Sequence, residues 1–285
     1  TIYSFAGASS SFLLGFTKRF PSAQVIRLSR GYRSTPEIIG TANAILRQGG
    51  MIGEHGHELA SMNEHGAKPE IAKFESNAGE ASSIAKKIAE LRARAGEHVE
   101  VAILTRTNSQ LDIFERELRS AGIESQIKSS EKFFERVDVR DAMRVIRSAS
   151  VLPTEGGNWY DDLVAVLRPF GDTDYVHAFL ALAKSMQESM EDSATTLRTY
   201  LRELEDRAEQ NNPPTLPGVV LSTLHAAKGL EWDHVFLAGV SDGILPMGND
   251  VEEERRLFYV GLTRAKNQLH LSYSGTPSPF LSGIN

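Results

Sequence analysis

Three short segments combine turn-forming residues with side chains that could bind a phosphorylated ligand. The first, Arg30–Ser34 (RGYRS), follows a β-prone run at Gln24–Leu28 and precedes a predicted helix over Thr35–Leu46, with Ser34 as its expected N-cap. An aromatic ring beside an arginine can stack on a nucleobase while the guanidinium binds phosphate. A surface loop with a half-buried tyrosine is the alternative, and this segment alone does not decide between them.

The second segment, Ser222–Trp232 (STLHAAKGLEW), follows the apolar run Gly218–Ser222. Its Thr, His and Lys side chains are closely spaced hydrogen-bond donors, and its glycine permits a tight turn. This density of donors favours a binding function over a merely polar loop. It does not choose between phosphate and nucleic acid as the ligand.

The third segment, Glu252–Lys266 (EEERRLFYVGLTRAK), has an acidic start and basic later residues, as a well-formed charged helix requires. Within it, Arg256, Val260 and Arg264 recur every four residues, which places both arginines near one helix face. A solvated helix has no need of that arrangement. Because arginine stabilises charge on a transferring phosphoryl group better than lysine does, the segment indicates phosphoryl chemistry.

A fourth feature is a row of arginines beside two aromatic residues, Phe133 and Phe134. The row comprises Arg136, Arg140, Arg144 and Arg147. A basic stripe next to aromatic rings suits single-stranded nucleic acid, whose bases stack and whose phosphates pair with arginine. The neighbouring Asp138 and Asp141 make a neutralised, solvated helix face an equally good interpretation.

Apolar runs alternate with amphipathic helical patterns in two parts of the chain, which predicts an α/β fold with a parallel sheet. The predicted strands are Ile71–Phe74, Val99–Leu104, Gly218–Ser222, His234–Ala238 and Gln268–Tyr273. Predicted helices cover 79–94, a stretch from Leu111 to near Gly122, and 252–263. Residues 47–68 lack an apolar period and are expected to be loop. Residues 151–217 have helical periodicity without a convincing strand, so a small helical insertion interrupts the sheet.

The composition excludes several classes of protein. With no cysteine among 285 residues, disulfide frameworks, thiolate metal sites and cysteine nucleophiles are absent. No apolar run reaches the length of about 18 residues that a membrane-spanning helix needs, and the chain opens without a signal peptide, so we expect a cytoplasmic protein. Because Lys+Arg 31 against Asp+Glu 37 gives a net charge of −6, any nucleic-acid surface must be a local basic patch.

Taken in order, these segments resemble the C-terminal half of superfamily-one DNA helicases of the UvrD/Rep/PcrA type. The matching blocks are Thr1–Ala8 (the tail of the third motif), Gly31–Thr35 (the fourth), Leu104–Asn108, Phe133–Arg136, Thr223–Glu231 (the fifth), Glu253–Ala265 (the sixth) and Ser278–Leu281. The resemblance implies a RecA-like parallel sheet flanked by helices. It also implies four parts: a tail of the first motor domain (1–22), the second RecA-like domain in two pieces (23–150 and 218–285), and a reduced accessory subdomain (151–217).

The resemblance further implies roles for individual residues around ATP and single-stranded DNA. Tyr32 would stack on adenine, Glu231 would reach the ribose, and Arg33 and Arg264 would act as catalytic arginines on the γ-phosphate, with Gly229 at the same site. The expected DNA contacts are Tyr3, Phe5, Asn108, Thr223 and His225.

The parts of the machinery that hold Mg²⁺ and the phosphates are not found in this sequence. It contains no Gly-x-x-x-x-Gly-Lys-[Ser/Thr] phosphate loop, and no strand ends in a paired Asp-Glu. In the resembled helicases the first RecA-like domain carries those parts, so we expect it to be the partner that supplies them. The predicted parent enzyme hydrolyses ATP to move 3′→5′ along single-stranded DNA and acts at DNA junctions, and this chain alone is expected to be inactive.

Two alternatives remain open on this evidence. One is the helicase part of a recombination helicase–nuclease, which shares these motifs. The other is a non-catalytic module that binds DNA or docks a partner and has kept the motor fold.

Overall fold

The computed structural model describes residues 15–26, 28–52, 58–96, 99–128, 133–150, 158–189, 196–209, 214 and 218–284. The chain divides into two compact units. The first contains the residues up to Lys128 together with those from Gly218 onwards, and the second is Ser129–Pro217. Among the described helices, none is both long and apolar enough to cross a membrane.

The first unit is built on a parallel β-sheet, as the alternating pattern predicts. A small parallel pair joins β1 (Arg30–Gly31) to β2 (Ala60–Ser61). The main sheet contains β3 (Glu70–Phe74), β4 (Val101–Thr105), β5 (Ser125–Lys128), β6 (Val219–Thr223), β7 (Trp232–Leu237) and β8 (Ala265–Ser274). Their order across the sheet is β3-β8-β7-β4-β6-β5, and every pairing is parallel. The predicted parallel sheet is therefore confirmed.

Helices cover both faces of this sheet. The helices of the first unit are α1 (Phe16–Arg19), α2 (Pro36–Gln48), α3 (Asn77–Ala95), α4 (Leu111–Ser120) and α9 (Val251–Leu262). Central strand β4 shows the layering, because Ala102 and Leu104 join the core formed with α2 and α9, whereas Val101 and Ile103 join the core formed with α3 and α4. A strand buried on both faces has to be apolar throughout, which explains the run VAIL.

The second unit is helical among its described residues. It contains α5 (Val137–Ala149), α6 (Trp159–Leu167), α7 (Asp174–Ser189) and α8 (Leu197–Glu209) around one core. Buried Tyr200 fixes α8 to α7, since its hydroxyl donates to the Phe179 carbonyl at 2.8 Å. Helix α5, which the sequence analysis assigns to the sheet domain, packs in this helical core, so the unit begins earlier than residue 151.

Three local expectations around the first segment are wrong. The predicted strand Gln24–Leu28 is not a strand at its described positions, where the apolar side chains of Val25, Ile26 and Leu28 remain 61%, 75% and 80% exposed. The expected loop 47–68 contributes β2. The N-cap of α2 is Thr35, and Ser34 uses its hydroxyl elsewhere.

Candidate functional site

Two arginines and a glutamate from distant parts of the chain meet at the amino ends of β7 and β8. Glu231 directly precedes β7, and Arg264 directly precedes β8, where the Trp232 N–H donates to the Arg264 carbonyl at 3.0 Å. Arg33 forms an ion pair with the Glu231 carboxylate. The structure therefore brings together three residues that the motifs single out.

Hydrogen bonds to the first residues of β8 hold Arg33 at this place. The Ser34 hydroxyl is fully buried and donates to the Ala265 carbonyl at 2.6 Å, and the Thr35 N–H donates to the Lys266 carbonyl at 3.1 Å. Ser61 of β2 adds a third support by donating to the Ser34 carbonyl at 2.7 Å. The hydrogen bonds from Ser34, Thr35 and Ser61 thus fix the backbone next to Arg33.

Arg264 lies beyond the last residue of α9 and folds back along that helix. Its Nε donates to the Val260 carbonyl at 3.0 Å, and its Nη1 donates to the Leu230 carbonyl at 2.9 Å. Thr263 lies between the two arginines, because its carbonyl accepts from Arg33 Nη1 at 3.5 Å. The shared helix face expected for Arg256 and Arg264 is not realised, since α9 ends at Leu262.

The cluster is electrostatically suited to an anion. Burial and, to a smaller extent, the positive charge of Arg33 lower the pKa of Arg264 to about 10, against the opposite influence of Glu231. Arg264 stays protonated at neutral pH, so two guanidinium groups share one carboxylate. An incoming phosphate would relieve the repulsion between the arginines, and arginine binds phosphate through two parallel hydrogen bonds. The residues present therefore fit the phosphate end of a nucleotide.

Tyr32 and Gly229 flank this cluster. Tyr32 directly precedes Arg33 and is 71% exposed, so its ring is available for stacking. Gly229 has a φ of +88°, a conformation that side chains disfavour, in the turn leading to Glu231. This turn is what lets the segment after β6 reverse towards the start of β7.

Three of the residues expected to contact DNA lie at the opposite edge of the sheet. Thr223 ends β6 and is paired in register with Thr105, the last residue of β4. Asn108 opens the 3₁₀ turn Asn108–Gln110 just after β4, and His225 follows β6 by two residues. Since β4 and β6 are adjacent parallel strands, these three residues belong to neighbouring loops at the carboxyl edge.

His225 is half-buried beside an ion pair that the sequence analysis missed. Burial lowers its pKa below the usual histidine value of 6.5, and the charge of Arg106 lowers it further, so the imidazole is neutral at pH 7. Arg106 pairs with Glu254 of α9. Both residues lie within quoted motif blocks, but no sequence signal pairs an arginine with a carboxylate 148 positions away.

The other residues predicted from the sequence belong to neither of these two groups. Tyr3 and Phe5 lie outside the described residues. In the arginine row, Arg136 pairs with Asp138, Arg144 with Asp141, and Arg147 with Glu205, which favours the solvated-face interpretation of that stripe.

No metal-binding group is found in the described part of the chain, where no three His, Asp or Glu side chains converge.

Comparisons with known proteins agree with these motifs. A family model described as the UvrD-like helicase C-terminal domain matches residues 26–150 and 172–276. ATP-dependent DNA helicase UvrD2 of Mycobacterium tuberculosis (strain ATCC 25618 / H37Rv) is 40% identical over 316 residues, covering 100% of this chain and 45% of that protein.

Two further relatives are more distant. ATP-dependent DNA helicase PcrA of Bacillus subtilis (strain 168) is 26% identical, covering 95% of this chain and 49% of that protein. DNA helicase II of Escherichia coli (strain K12) is 25% identical, covering 97% and 51%. The chain thus spans about half the length of these relatives.

Proposed function

Since the chain belongs to the UvrD-like helicase C-terminal domain family, we propose that it is the second RecA-like motor domain of an ATP-dependent DNA helicase that moves along single-stranded DNA in the cytoplasm. The observation that carries this proposal is the cluster of Arg33, Glu231 and Arg264 at one edge of the sheet. A non-catalytic docking module has no use for two arginines held beside a carboxylate by buried hydrogen bonds.

In the proposed mechanism Arg33 and Arg264 bind the γ-phosphate of ATP and stabilise the charge that develops on it. ATP supplies the phosphoryl group whose transfer to water drives movement, with Mg²⁺ held by the partner motor domain. A loose phosphoryl-transfer transition state needs charge neutralisation more than covalent chemistry, and preorganised arginines provide it. Glu231 pairs with Arg33 at the site, Tyr32 stacks on the adenine, and the turn at Gly229 positions Glu231.

In the proposed mechanism, DNA is bound at the opposite edge of the sheet by Asn108, Thr223 and His225. A neutral imidazole, an amide and a hydroxyl can hydrogen-bond phosphate oxygens and sugars without requiring a particular base sequence. The net charge of −6 is consistent with a narrow contact of this kind. We therefore expect the DNA affinity of this chain by itself to be weak and sensitive to salt.

The partner of this chain in the proposal is a first RecA-like domain that carries the phosphate loop. The exposed apolar side chains of Val25 and Ile26, at 61% and 75% exposure, support such a partner, because exposed apolar surface is typical of sites where proteins associate. The lack of a phosphate loop in this sequence supports it as well.

The test is ATP hydrolysis by the full-length protein with and without single-stranded DNA. We expect Arg264→Ala to lower the DNA-stimulated kcat by about 10³–10⁵-fold, the range measured for transition-state arginines, while ATP binding persists. Arg119→Ala is the matched control, since Arg119 is an exposed arginine on α4 with an ordinary surface ion pair.

Equal hydrolysis by wild type and Arg264→Ala would refute the assignment of the catalytic arginine. If the wild type does not hydrolyse ATP at all, the docking-module alternative is preferred instead.

A further inference from the structure

The buried ion pair between Arg106 and Glu254 joins the loop after β4 to the first turn of α9. Arg106 Nε donates to Glu254 Oε2 and Arg106 Nη2 donates to Glu254 Oε1, both at 2.8 Å. The side chains are only 17% and 7% exposed. A two-pronged contact of this kind fixes both distance and orientation.

The Arg106 end of the pair is fixed within the loop that carries Asn108. Gln110 Oε1 accepts from the backbone N–H groups of Arg106 and Thr107 at 3.1 and 3.0 Å, and the Thr105 hydroxyl donates to the Thr107 carbonyl at 2.9 Å. Gln110 itself lies so close to Gly239 that a Cβ at Gly239 would be 2.2 Å from Gln110 Nε2. The loop therefore cannot shift without moving Arg106.

The Glu254 end is fixed in the first turn of α9. Its backbone N–H donates to the Asp250 carbonyl at 3.1 Å, and its Oε2 accepts from the Met247 N–H at 3.0 Å. With 12 residues, α9 extends about 18 Å from this turn towards the start of β8. Val260, in its last turn, accepts the hydrogen bond from Arg264 Nε.

The last turn of α9 is tightly packed. A Cβ at Gly261 would lie 2.4 Å from Leu224 Cδ2 and 2.9 Å from Leu237 Cδ1, so α9 sits directly against the segment that follows β6. Because α9 is one continuous helix, a displacement of its first turn also acts on its last turn, where the close-packed interior has little room to absorb it.

We propose that the Arg106–Glu254 pair is a positioning contact that couples the DNA-contacting loop at Asn108 to the nucleotide-contacting Arg264 through α9. The inference rests on the proposed function, since it uses the two sites assigned there. Neither Arg106 nor Glu254 touches ATP in this proposal. Their role is to make the geometry of one site depend on the other, a coupling of sites that works in both directions.

The experiment compares the full-length wild type with Arg106→Lys and Glu254→Gln. Lysine at position 106 keeps the positive charge but cannot donate to both carboxylate oxygens at once. Glutamine at position 254 keeps the shape of the glutamate side chain but lacks its charge. The readouts are the ratio of kcat at saturating oligo(dT) to kcat without DNA, and the Kd for fluorescein-labelled oligo(dT) with and without the non-hydrolysable analogue AMPPNP. Arg119→Lys serves as the control at an exposed ion pair.

In each variant we expect the DNA stimulation of kcat, and the change in the Kd for DNA that AMPPNP causes, to be at least fivefold smaller than in wild type. The Kd for AMPPNP without DNA should stay within twofold of the wild-type value. The double variant Arg106→Glu/Glu254→Arg is expected to recover part of the coupling. It also keeps the test informative if a single variant, left with an uncompensated buried charge, fails to fold.

Three results would overturn the inference, and they are distinguishable. If Arg264→Ala abolishes hydrolysis but Arg106→Lys and Glu254→Gln are stimulated like wild type, the coupling role fails and the proposed function stands. If wild type shows no DNA-stimulated hydrolysis, both fail together. A fall in melting temperature with an unchanged stimulation ratio identifies the pair as purely structural and also overturns the inference.

Discussion

The close approach of α9 to the sheet at Gly261 makes a quantitative prediction about stability. An alanine there would place its Cβ 2.4 Å from Leu224 Cδ2 and 2.9 Å from Leu237 Cδ1, against about 3.4 Å for ordinary contact. The two methyl groups would have to move by about 1.0 and 0.5 Å. Both leucines are buried in the main core, so neither can turn towards solvent.

The cost follows from two opposing contributions. Overpacking of this kind destabilises by about 1–3 kcal/mol, and replacing glycine by alanine in a helix returns up to about 1 kcal/mol. Because Gly261 lies in the last turn, the gain is small, and we expect Gly261→Ala to lower the free energy of unfolding by about 1–2 kcal/mol. At about 2–4 °C per kcal/mol in a domain of this size, the melting temperature should fall by about 2–8 °C.

The assay is thermal and urea unfolding of this chain, with Gly40→Ala as the matched control. Gly40 is an exposed glycine within α2, and a Cβ there would have no atom within 4 Å, so we expect Gly40→Ala to stabilise by about 0.4–1 kcal/mol. A Gly261→Ala variant as stable as wild type, alongside a stabilised Gly40→Ala, would refute the close packing of α9 on Leu224.

Two further predictions concern the nucleotide and the pH. Replacing exposed Tyr32 by alanine should raise the KM for ATP about tenfold, because one stacked base contributes about 1–3 kcal/mol, while the melting temperature hardly changes. A wild-type KM for ATP in this variant would refute the assignment of Tyr32 to the nucleotide site. Burial lowers the pKa of His225, His234 and His270 below 6.5, so the unfolded chain takes up protons first as the pH falls. Stability should therefore decline as the pH falls through the ordinary histidine pKa of 6.5, and His234→Gln should flatten that decline in melting curves.

The sheet was predictable where burial dictates the residue pattern and not elsewhere. Strand β4 is buried on both faces, and its apolar run was assigned from the sequence to within two residues. Strand β5 (SQIK) was missed because it lies at the edge of the sheet, pairs only with β6 and carries mostly polar side chains. The opposite error occurred at Gln24–Leu28, because strand propensity depends on burial against neighbouring residues, and the apolar side chains of Val25, Ile26 and Leu28 stay exposed.

The site shows a similar division. The motifs identify Arg33, Glu231 and Arg264 individually, but only the fold brings Ser34 to the Ala265 carbonyl across 231 positions and so sets Arg33 beside the other two. The four-residue spacing gave a wrong prediction for Arg264, since it placed this residue on the face of a helix that ends two residues earlier. Contacts between distant segments, such as that of Arg106 with Glu254, depend on the register of strands and helices and have no local signature.

The arrangement of the two edges constrains how a motor of this kind could work. The segment from Leu224 to Glu231 connects the carboxyl end of β6 to the amino end of β7 in two tight turns, closed by Ala227 N–H to the Thr223 carbonyl at 2.9 Å and Leu230 N–H to the Ala227 carbonyl at 3.1 Å. Helix α9 also leads from the carboxyl edge of the sheet to its amino edge, and it packs against that segment at Gly261. With two short, close-packed links between the proposed DNA and ATP edges, a large internal rearrangement of the sheet unit would break its core. Binding energy at the ATP edge is therefore better converted into motion of this unit as a body relative to its partner domain, with the DNA edge carried along.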